Sequence, residues 1–236
     1  MLDIINQKIV FDFDTSKFNF AEILLEYLSK YHIDNLQELH IQLPQNLMTS
    51  NVVTMEEDQS LPIYEILYNM WDSYDFINKS PSDHFLSIYE QFIHYLSDEI
   101  FNEKLVYQKK PTFRVHFPGN KAVGEFHRDR DYNHPVEEIN IWIPITSAFN
   151  TNTIWIESEF DKEDYSPVNL IEGEGLIFDS ALKHGNKINK ENSTRLSFDF
   201  RVIPKSKWST KKLHKEKSSL KQNLEFKIDG YYDLMS

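Results

Sequence analysis

Apolar residues recur every three or four positions in the first half of the chain, which is typical of helices packed on one face. A Ser-Pro-Ser-Asp run at residues 80–83 is a helix-start signal ahead of the last such segment. Residues 8–13 predict a short strand and residues 46–60 a polar loop, while residues 36–43 fit either helix or strand. The predicted helices cover residues 20–31, 61–77 and 84–101.

The pattern changes near Pro111, where helical spacing gives way to short alternating runs separated by turns. Predicted strands cover residues 112–117, 138–145, 153–157, 168–171, 175–179 and 194–203. Short strands at this spacing favour a jelly roll or barrel. We therefore predict a mainly β protein with flanking α-helices. Its core would be a double-stranded β-helix, a cupin-like jelly roll, with the N-terminal helices packed on one sheet.

This pattern predicts a single domain over residues 1–236. It would contain a mostly helical region (1–111), a jelly-roll core with the functional site (112–204) and a basic tail or lid (205–236). Residues 205–221 hold seven lysines and one glutamate. They fit either a solvated flap or a lid that attracts anions.

Composition narrows the classes of partner. The net charge of -12 argues against nucleic acid as a partner, because an acidic surface repels phosphate backbones. The chain has no cysteine, which removes disulfides and thiolate chemistry. With no apparent signal peptide or membrane-spanning stretch, we expect a cytoplasmic protein that acts on a small molecule away from membranes. The oligomeric state stays open.

Candidate metal ligands lie in two places. His127 and Asp129 are two positions apart, so in an extended segment both side chains point to one face. His184 follows a hydrophobic run 57 residues later. Two histidines and one carboxylate leave coordination positions open, an arrangement that suits non-haem Fe(II). Taken singly, each of these residues also fits a charged loop or a structural histidine.

The last predicted strand alternates polar and apolar residues. Arg195, Ser197, Asp199 and Arg201 share one face, and phenylalanines occupy the other. A buried Arg195 beside the Ser197 hydroxyl would form a receptor for a carboxylate. The alternative is that the polar face meets solvent and the phenylalanines meet the core.

Other candidates are weaker. Asn140 and Trp142 share a strand face and would line either a cosubstrate pocket or the outer sheet. Arg114 would meet an anionic group or form a surface ion pair. Four residues near the His-x-Asp motif are expected at the pocket rim as candidate substrate contacts: Arg128, Arg130, Tyr132 and His134.

Taken in order, Phe126 to Asp129, His184, and Arg195 with Ser197 resemble the Fe(II)/2-oxoglutarate-dependent dioxygenase superfamily. The segments at 114–120 and 132–135 are most similar to the StrG-like oxygenases of carbohydrate and antibiotic biosynthesis clusters. The resemblance spans residues 112–204.

This resemblance implies that His127, Asp129 and His184 bind Fe(II) and act in catalysis. It implies that 2-oxoglutarate binds through Arg195 and Ser197, with Asn140, Trp142 and Arg114 nearby, and that O₂ is consumed. The expected reaction hydroxylates a small polar metabolite, for which a sugar-linked compound is one candidate, and releases succinate and CO₂. Halogenating relatives lack the carboxylate, so Asp129 favours hydroxylation. The alternatives are a cupin-type isomerase or epimerase and a non-catalytic carbohydrate-binding module.

Overall fold

The computed structural model describes residues 4–48, 62–72, 81–122, 125–132, 134–208 and 226–235. In chain order the strands are β1 (Lys8–Asp12), β2 (Leu105–Gln108), β3 (Thr112–His116), β4 (Ile139–Pro144), β5 (Ile154–Ile156), β6 (Ser166–Pro167), β7 (Glu174–Asp179), β8 (His184–Asn186), β9 (Arg195–Pro204) and β10 (Tyr232–Leu234). The α-helices are α1 (Phe20–Leu28), α2 (Leu39–Gln42), α3 (Gln45–Met48), α4 (Pro62–Asp72) and α5 (Pro81–Tyr95). Single 3₁₀ turns cover Ser29–Tyr31, Leu36–Glu38, Asp129–Tyr132 and Lys205–Lys207, and a π-helical turn covers Leu96–Phe101.

The described strands form two antiparallel sheets. The large sheet has the order β1-β7-β4-β9-β2-β10, with β3 also paired to β9, and the small sheet has the order β6-β5-β8. Strand β9 is central because it is long enough to pair with three neighbours. One edge pairs with β4, while the other pairs first with β3 and then with β2.

Each face of the large sheet is covered. On one face, the Phe198 ring lies 4.8 Å from Phe20 of α1 and 5.7 Å from Phe85 of α5, measured between ring centroids. On the other face, Trp142 and Phe178 pack with Ile154 and other residues of the small sheet in a second apolar cluster. Two antiparallel sheets with helices on one outer face confirm the predicted double-stranded β-helix.

The helix predictions at 20–31 and 84–101 are confirmed, although both end in non-α turns. The second helix begins at Pro81 rather than residue 84, consistent with proline at a first helical position. The undecided segment 36–43 is helical. Part of the predicted loop 46–60, the end of the predicted helix 61–77 and most of the basic stretch 205–221 lie outside the described residues.

One strand expectation needs correction. Residues 168–171 do not form a strand; Leu170 makes only an isolated bridge to Ala148, and the strand here is β6. His184 follows the hydrophobic run of β7 as expected, and it also begins a further short strand, β8, which pairs with β5. The large sheet also takes in β1, β2 and β10 from outside residues 112–204. Among the described residues, no helix is long and apolar enough to cross a membrane.

Phe198 provides a test of this packing. The side chain is fully buried between the sheet and two helices, so Phe198→Ala is expected to lower the free energy of unfolding in urea by about 3–5 kcal/mol. The control Ile171→Ala removes a side chain that is 60% exposed and should cost less than about 0.5 kcal/mol. Equal effects of the two substitutions would contradict the packing.

Candidate metal centre

The two candidate histidines are held together by the backbone. The His127 N–H donates to the His184 carbonyl and the His184 N–H donates to the His127 carbonyl, each at 2.9 Å. Glycine at 185 permits this approach, because a Cβ there would lie 3.0 Å from Phe126 Cγ and 3.1 Å from Phe126 Cα. Sequence positions 57 residues apart thus become direct neighbours in a short antiparallel bridge.

Asp129 completes the group from a different local structure. It begins the 3₁₀ turn Asp129–Tyr132 rather than continuing an extended segment. Its Oδ1 lies 3.6 Å from His127 Nε2 and 3.8 Å from His184 Nε2. These three side chains form a group that could hold a metal ion, and Asp129 is 3% exposed.

Both imidazoles are oriented by hydrogen bonds on their other nitrogen. His127 Nδ1 donates to the Glu125 carbonyl at 2.9 Å, and His184 Nδ1 donates to the Leu182 carbonyl at 3.0 Å. Since a carbonyl only accepts, each ring keeps a proton on Nδ1 and turns its Nε2 toward Asp129. Burial, reinforced by His127, lowers the pKa of His184 to about 4, so this ring is a neutral ligand near pH 7.

Arg201 occupies the second oxygen of Asp129. Its Nε and Nη2 donate to Asp129 Oδ2 at 3.2 and 3.1 Å, which leaves Oδ1 facing the histidines. Burial alone would raise the pKa of Asp129, but Arg201 and then His184 outweigh it and hold the pKa well below its usual range. Asp129 is therefore a charged carboxylate that presents one oxygen to the metal position.

A second set of potential ligands, Asp129 with His134 and Glu138, is already engaged. His134 Nδ1 donates to Glu138 Oε2 at 2.7 Å, and the Tyr232 hydroxyl donates to Glu138 Oε1. With these atoms satisfied within the protein, the first group fits a metal better than the second.

Arg195 is buried on the same side of the large sheet. It is 1% exposed and its guanidinium lines the cavity that His127 and His184 also line. Its Nη1 donates to Ser197 Oγ at 2.7 Å and its Nε to the Asn152 carbonyl at 3.0 Å. Among the described residues, no carboxylate lies within 4.0 Å of this guanidinium, although burial lowers the pKa of Arg195 only to about 10. A buried cation without a protein anion is suited to bind an anionic ligand.

Asn140 and Trp142 also line this cavity. Asn140 is 3% exposed, and neither its Oδ1 nor its Nδ2 has a hydrogen-bond partner among the described residues. Such a buried amide costs stability unless a ligand satisfies it. Arg114 lines the cavity too, and its Nε donates to Asp199 Oδ1 at 2.9 Å. Both side chains of this pair are half-buried at the cavity, so it is not the surface ion pair that was the alternative reading of Arg114.

The four expected rim residues have different surroundings. Three are held by protein contacts: Arg128 by Asp161 and the Phe160 ring, Arg130 by Asp179 and the Val136 carbonyl, and His134 by Glu138. Tyr132 is 44% exposed and its ring meets His127 edge-on, 5.5 Å between centroids. Of the four, Tyr132 is therefore the side chain placed to meet a molecule entering from solvent.

Sequence reasoning missed two contributors. Arg201 pairs with Asp199, its neighbour on the polar face of β9, and it also contacts Asp129, which was not foreseen. His116 faces Arg195 across the β3–β9 register, with its Nδ1 3.4 Å from Arg195 Nη2. The alternation in β9 already placed Arg201 on the polar face, which was the available signal; nothing in the sequence indicated the partner of His116.

The fold and the site define a double-stranded β-helix protein with a His-Asp-His group that could hold a metal ion. The chain is 32% identical to the streptomycin biosynthesis protein StrG of Streptomyces griseus over 223 residues, which is 94% of this chain and 95% of StrG. This chain belongs to the StrG family, and the predicted membership is confirmed. No family model matches the chain.

Several solved structures show a looser similarity. EvdO2 from Micromonospora carbonacea var. aurantiaca is 11% identical, with 84% of this chain and 86% of that chain covered and a TM-score of 0.47. AviO1 from Streptomyces viridochromogenes Tue57 is 14% identical, with 84% of this chain and 90% of that chain covered and a TM-score of 0.46. CytC3 with Fe(II) and alpha-ketoglutarate is 16% identical, with 84% of this chain and 72% of that chain covered and a TM-score of 0.43. These scores, all below 0.5, carry no conclusion about chemistry.

Buried histidines predict a specific pH dependence of stability. Burial, with the charge of Arg195, lowers the pKa of His116 from 6.5 to about 3. The unfolded chain therefore takes up this proton first, and stability present above pH 6.5 is lost as the pH falls toward 3. The loss is up to about 1.4 kcal/mol per pH unit. His184 acts in the same direction between 6.5 and about 4.

We expect the unfolding free energy of His116→Gln to fall less steeply than that of the wild type over this range, measured by urea unfolding at several pH values. Carboxylates titrate alike in both proteins, so the difference between the two slopes isolates His116. Parallel slopes would show that His116 is not buried as a neutral ring.

Proposed function

We propose that this protein is an Fe(II)- and 2-oxoglutarate-dependent oxygenase that hydroxylates a small polar metabolite. The observation that supports this most directly is one cavity lined by two histidines of the candidate metal group and by buried Arg195, which has no carboxylate partner among the residues that the structure describes. A metal group alone would fit many proteins. The added receptor for a carboxylate is what a metal-chelating dicarboxylate such as 2-oxoglutarate requires.

The donor set fits Fe(II). The Nε2 atoms of His127 and His184 and a single oxygen of Asp129 form a two-histidine, one-carboxylate triad, which leaves positions for cosubstrate and O₂. When bound, Fe(II) and 2-oxoglutarate supply the oxidation: O₂ is split, one oxygen atom enters a substrate C–H bond, and the other enters succinate as CO₂ leaves. Retention of Asp129, rather than a small residue that would admit halide, favours hydroxylation.

The remaining residues bind and orient. Arg195, supported by Ser197, is proposed to hold the far carboxylate of 2-oxoglutarate. Asn140 offers a donor and an acceptor to the cosubstrate, and Trp142 forms an apolar wall of the cavity. Arg114, already bonded to Asp199, contributes positive charge to the cavity. The protein thus supplies placement and electrostatics for chemistry that belongs to the metal and cosubstrate.

The substrate is proposed to be a sugar-linked metabolite. The relative StrG is named as a streptomycin biosynthesis protein, which supports a biosynthetic role. The isomerase and the binding-module alternatives have no use for the buried Arg195. A structural metal site is also expected to be closed by four ligands, and within the described residues the group formed by His127, Asp129 and His184 has three.

Removing a metal ligand tests the metal assignment. His127→Ala should reduce Fe(II)-dependent conversion of 2-oxoglutarate to succinate by more than about 100-fold. Loss of a residue that only hydrogen-bonds to a metal ligand costs up to about 100-fold, and loss of the ligand itself should cost more. His94→Ala, on the exposed face of α5, is the matched control and should leave turnover unchanged. Full turnover by His127→Ala would show that the metal lies elsewhere.

Arg195→Ala tests the anion receptor. Loss of charge-assisted hydrogen bonds worth about 1.5–3 kcal/mol should raise the KM for 2-oxoglutarate roughly 10- to 100-fold, with a smaller effect on metal affinity. Arg130→Ala removes an arginine that is held by Asp179 away from the cavity and serves as the control. An unchanged KM for 2-oxoglutarate in Arg195→Ala would show that another residue binds the carboxylate.

A further inference from the structure

The C-terminal segment, residues 226–235, docks directly behind the metal group. Strand β10 extends the large sheet by pairing with β2. Tyr232 is fully buried and Phe226 is 3% exposed. The Phe226 ring lies 4.6 Å from the ring of His134, which is itself within 4.8 Å of Asp129, measured between potential ligand atoms.

Tyr231 connects this segment to Asp129 through Arg201. The Tyr231 hydroxyl donates to Gln108 Oε1 at 2.9 Å, and Arg201 Nη1 approaches the same oxygen at 3.5 Å. The Gln108 amide is itself oriented, because its Nε2 donates to the Lys110 carbonyl at 2.7 Å. Arg201 then donates twice to Asp129 Oδ2.

Tyr232 makes a second connection on the other side. Its hydroxyl donates to Glu138 Oε1, and Glu138 Oε2 accepts from His134 Nδ1 at 2.7 Å. Glu138 is 1% exposed, so both of its oxygens depend on these protein partners. Tyr231 thus reaches Asp129 through Gln108 and Arg201, while Tyr232 fixes His134, whose potential ligand atom lies within 4.8 Å of that of Asp129. The two tyrosine rings stand perpendicular at 4.9 Å.

We infer that the C-terminal segment is part of the metal centre, in which Tyr231 and Tyr232 act as positioning residues that hold Asp129 as a one-oxygen ligand. This inference rests on the proposed function. A carboxylate free to rotate would offer both oxygens and occupy a position needed by the cosubstrate. Arg201, held in place by Gln108 and Tyr231, hydrogen-bonds to Oδ2, so that only Oδ1 is available to the metal.

Docking of the segment through apolar contacts alone would not need the hydroxyls. The rings of Phe226 and Tyr232 already pack with Val106 and Ile203 in an apolar cluster. Replacing tyrosine by phenylalanine keeps that packing and removes only the polar route, so the two roles can be separated experimentally.

The test measures Mn(II) affinity of the full-length protein without cosubstrate, from the electron paramagnetic resonance signal of free Mn(II). Tyr231→Phe and Tyr232→Phe are each expected to weaken binding about 10-fold, the low end for outer partners of a metal site. The matched control is Tyr27→Phe, which also loses a buried hydroxyl bond, from Tyr27 to the Ile66 carbonyl at 2.9 Å, but in the helical layer. It should retain wild-type affinity.

A double variant tests the route. If Tyr231 acts through Arg201, Tyr231→Phe combined with Arg201→Lys should lose less affinity than the product of the two single losses. Affinity equal to wild type in both tyrosine variants would overturn the inference while leaving the proposed function intact. An equal loss in Tyr27→Phe would also overturn it, by showing a general stability effect. A wild-type protein that bound no Mn(II) would overturn the proposed function as well.

Discussion

Burial of both faces of β9 is the constraint on which the rest of the structure depends. Leu196, Phe198 and Phe200 are covered by the helical layer, while buried Arg195 and Arg201 and half-buried Asp199 line the cavity that residues of both sheets enclose. A buried charge is tolerated only when another charge or a hydrogen-bond partner compensates for it. The polar face of β9 must therefore find partners within the protein or in a ligand.

Most of these charges are compensated in one continuous network. Arg114 pairs with Asp199, Asp199 with Arg201, and Arg201 with Asp129, so positive and negative groups alternate toward the metal position. Arg195 stands apart from this series, with a hydroxyl and a carbonyl as its partners. The same strand thus contains a charge-paired network at the metal end and, in Arg195, a cation that has no carboxylate partner in the described part of the chain and that a bound anion would neutralise.

Much of this arrangement was predictable from local pattern. Alternation along residues 194–203 identified the two faces of β9, and the helical spacing at 20–31 and 84–101 identified the layer that covers one of them. These patterns have short periods, so a single sequence contains enough information to read them. The polar face was not assignable in advance to solvent or interior, because alternation gives the faces without saying what covers each one. The strand β8 was missed because three residues are too few for a period to be visible.

By itself, the sequence determined the types of chemistry available: two histidines and an aspartate in ligand spacing, an arginine with a nearby serine, and no cysteine. It also determined family membership, since identity to StrG extends along nearly the whole chain. Only the tertiary structure decided that His127 and His184 are backbone partners, that Arg201 occupies one oxygen of Asp129, and that Arg128 and Arg130 are held by protein carboxylates. The physical reason is that such contacts join residues distant in sequence through two-sheet packing, and no periodicity or spacing along the chain encodes which of several charged neighbours will be closest.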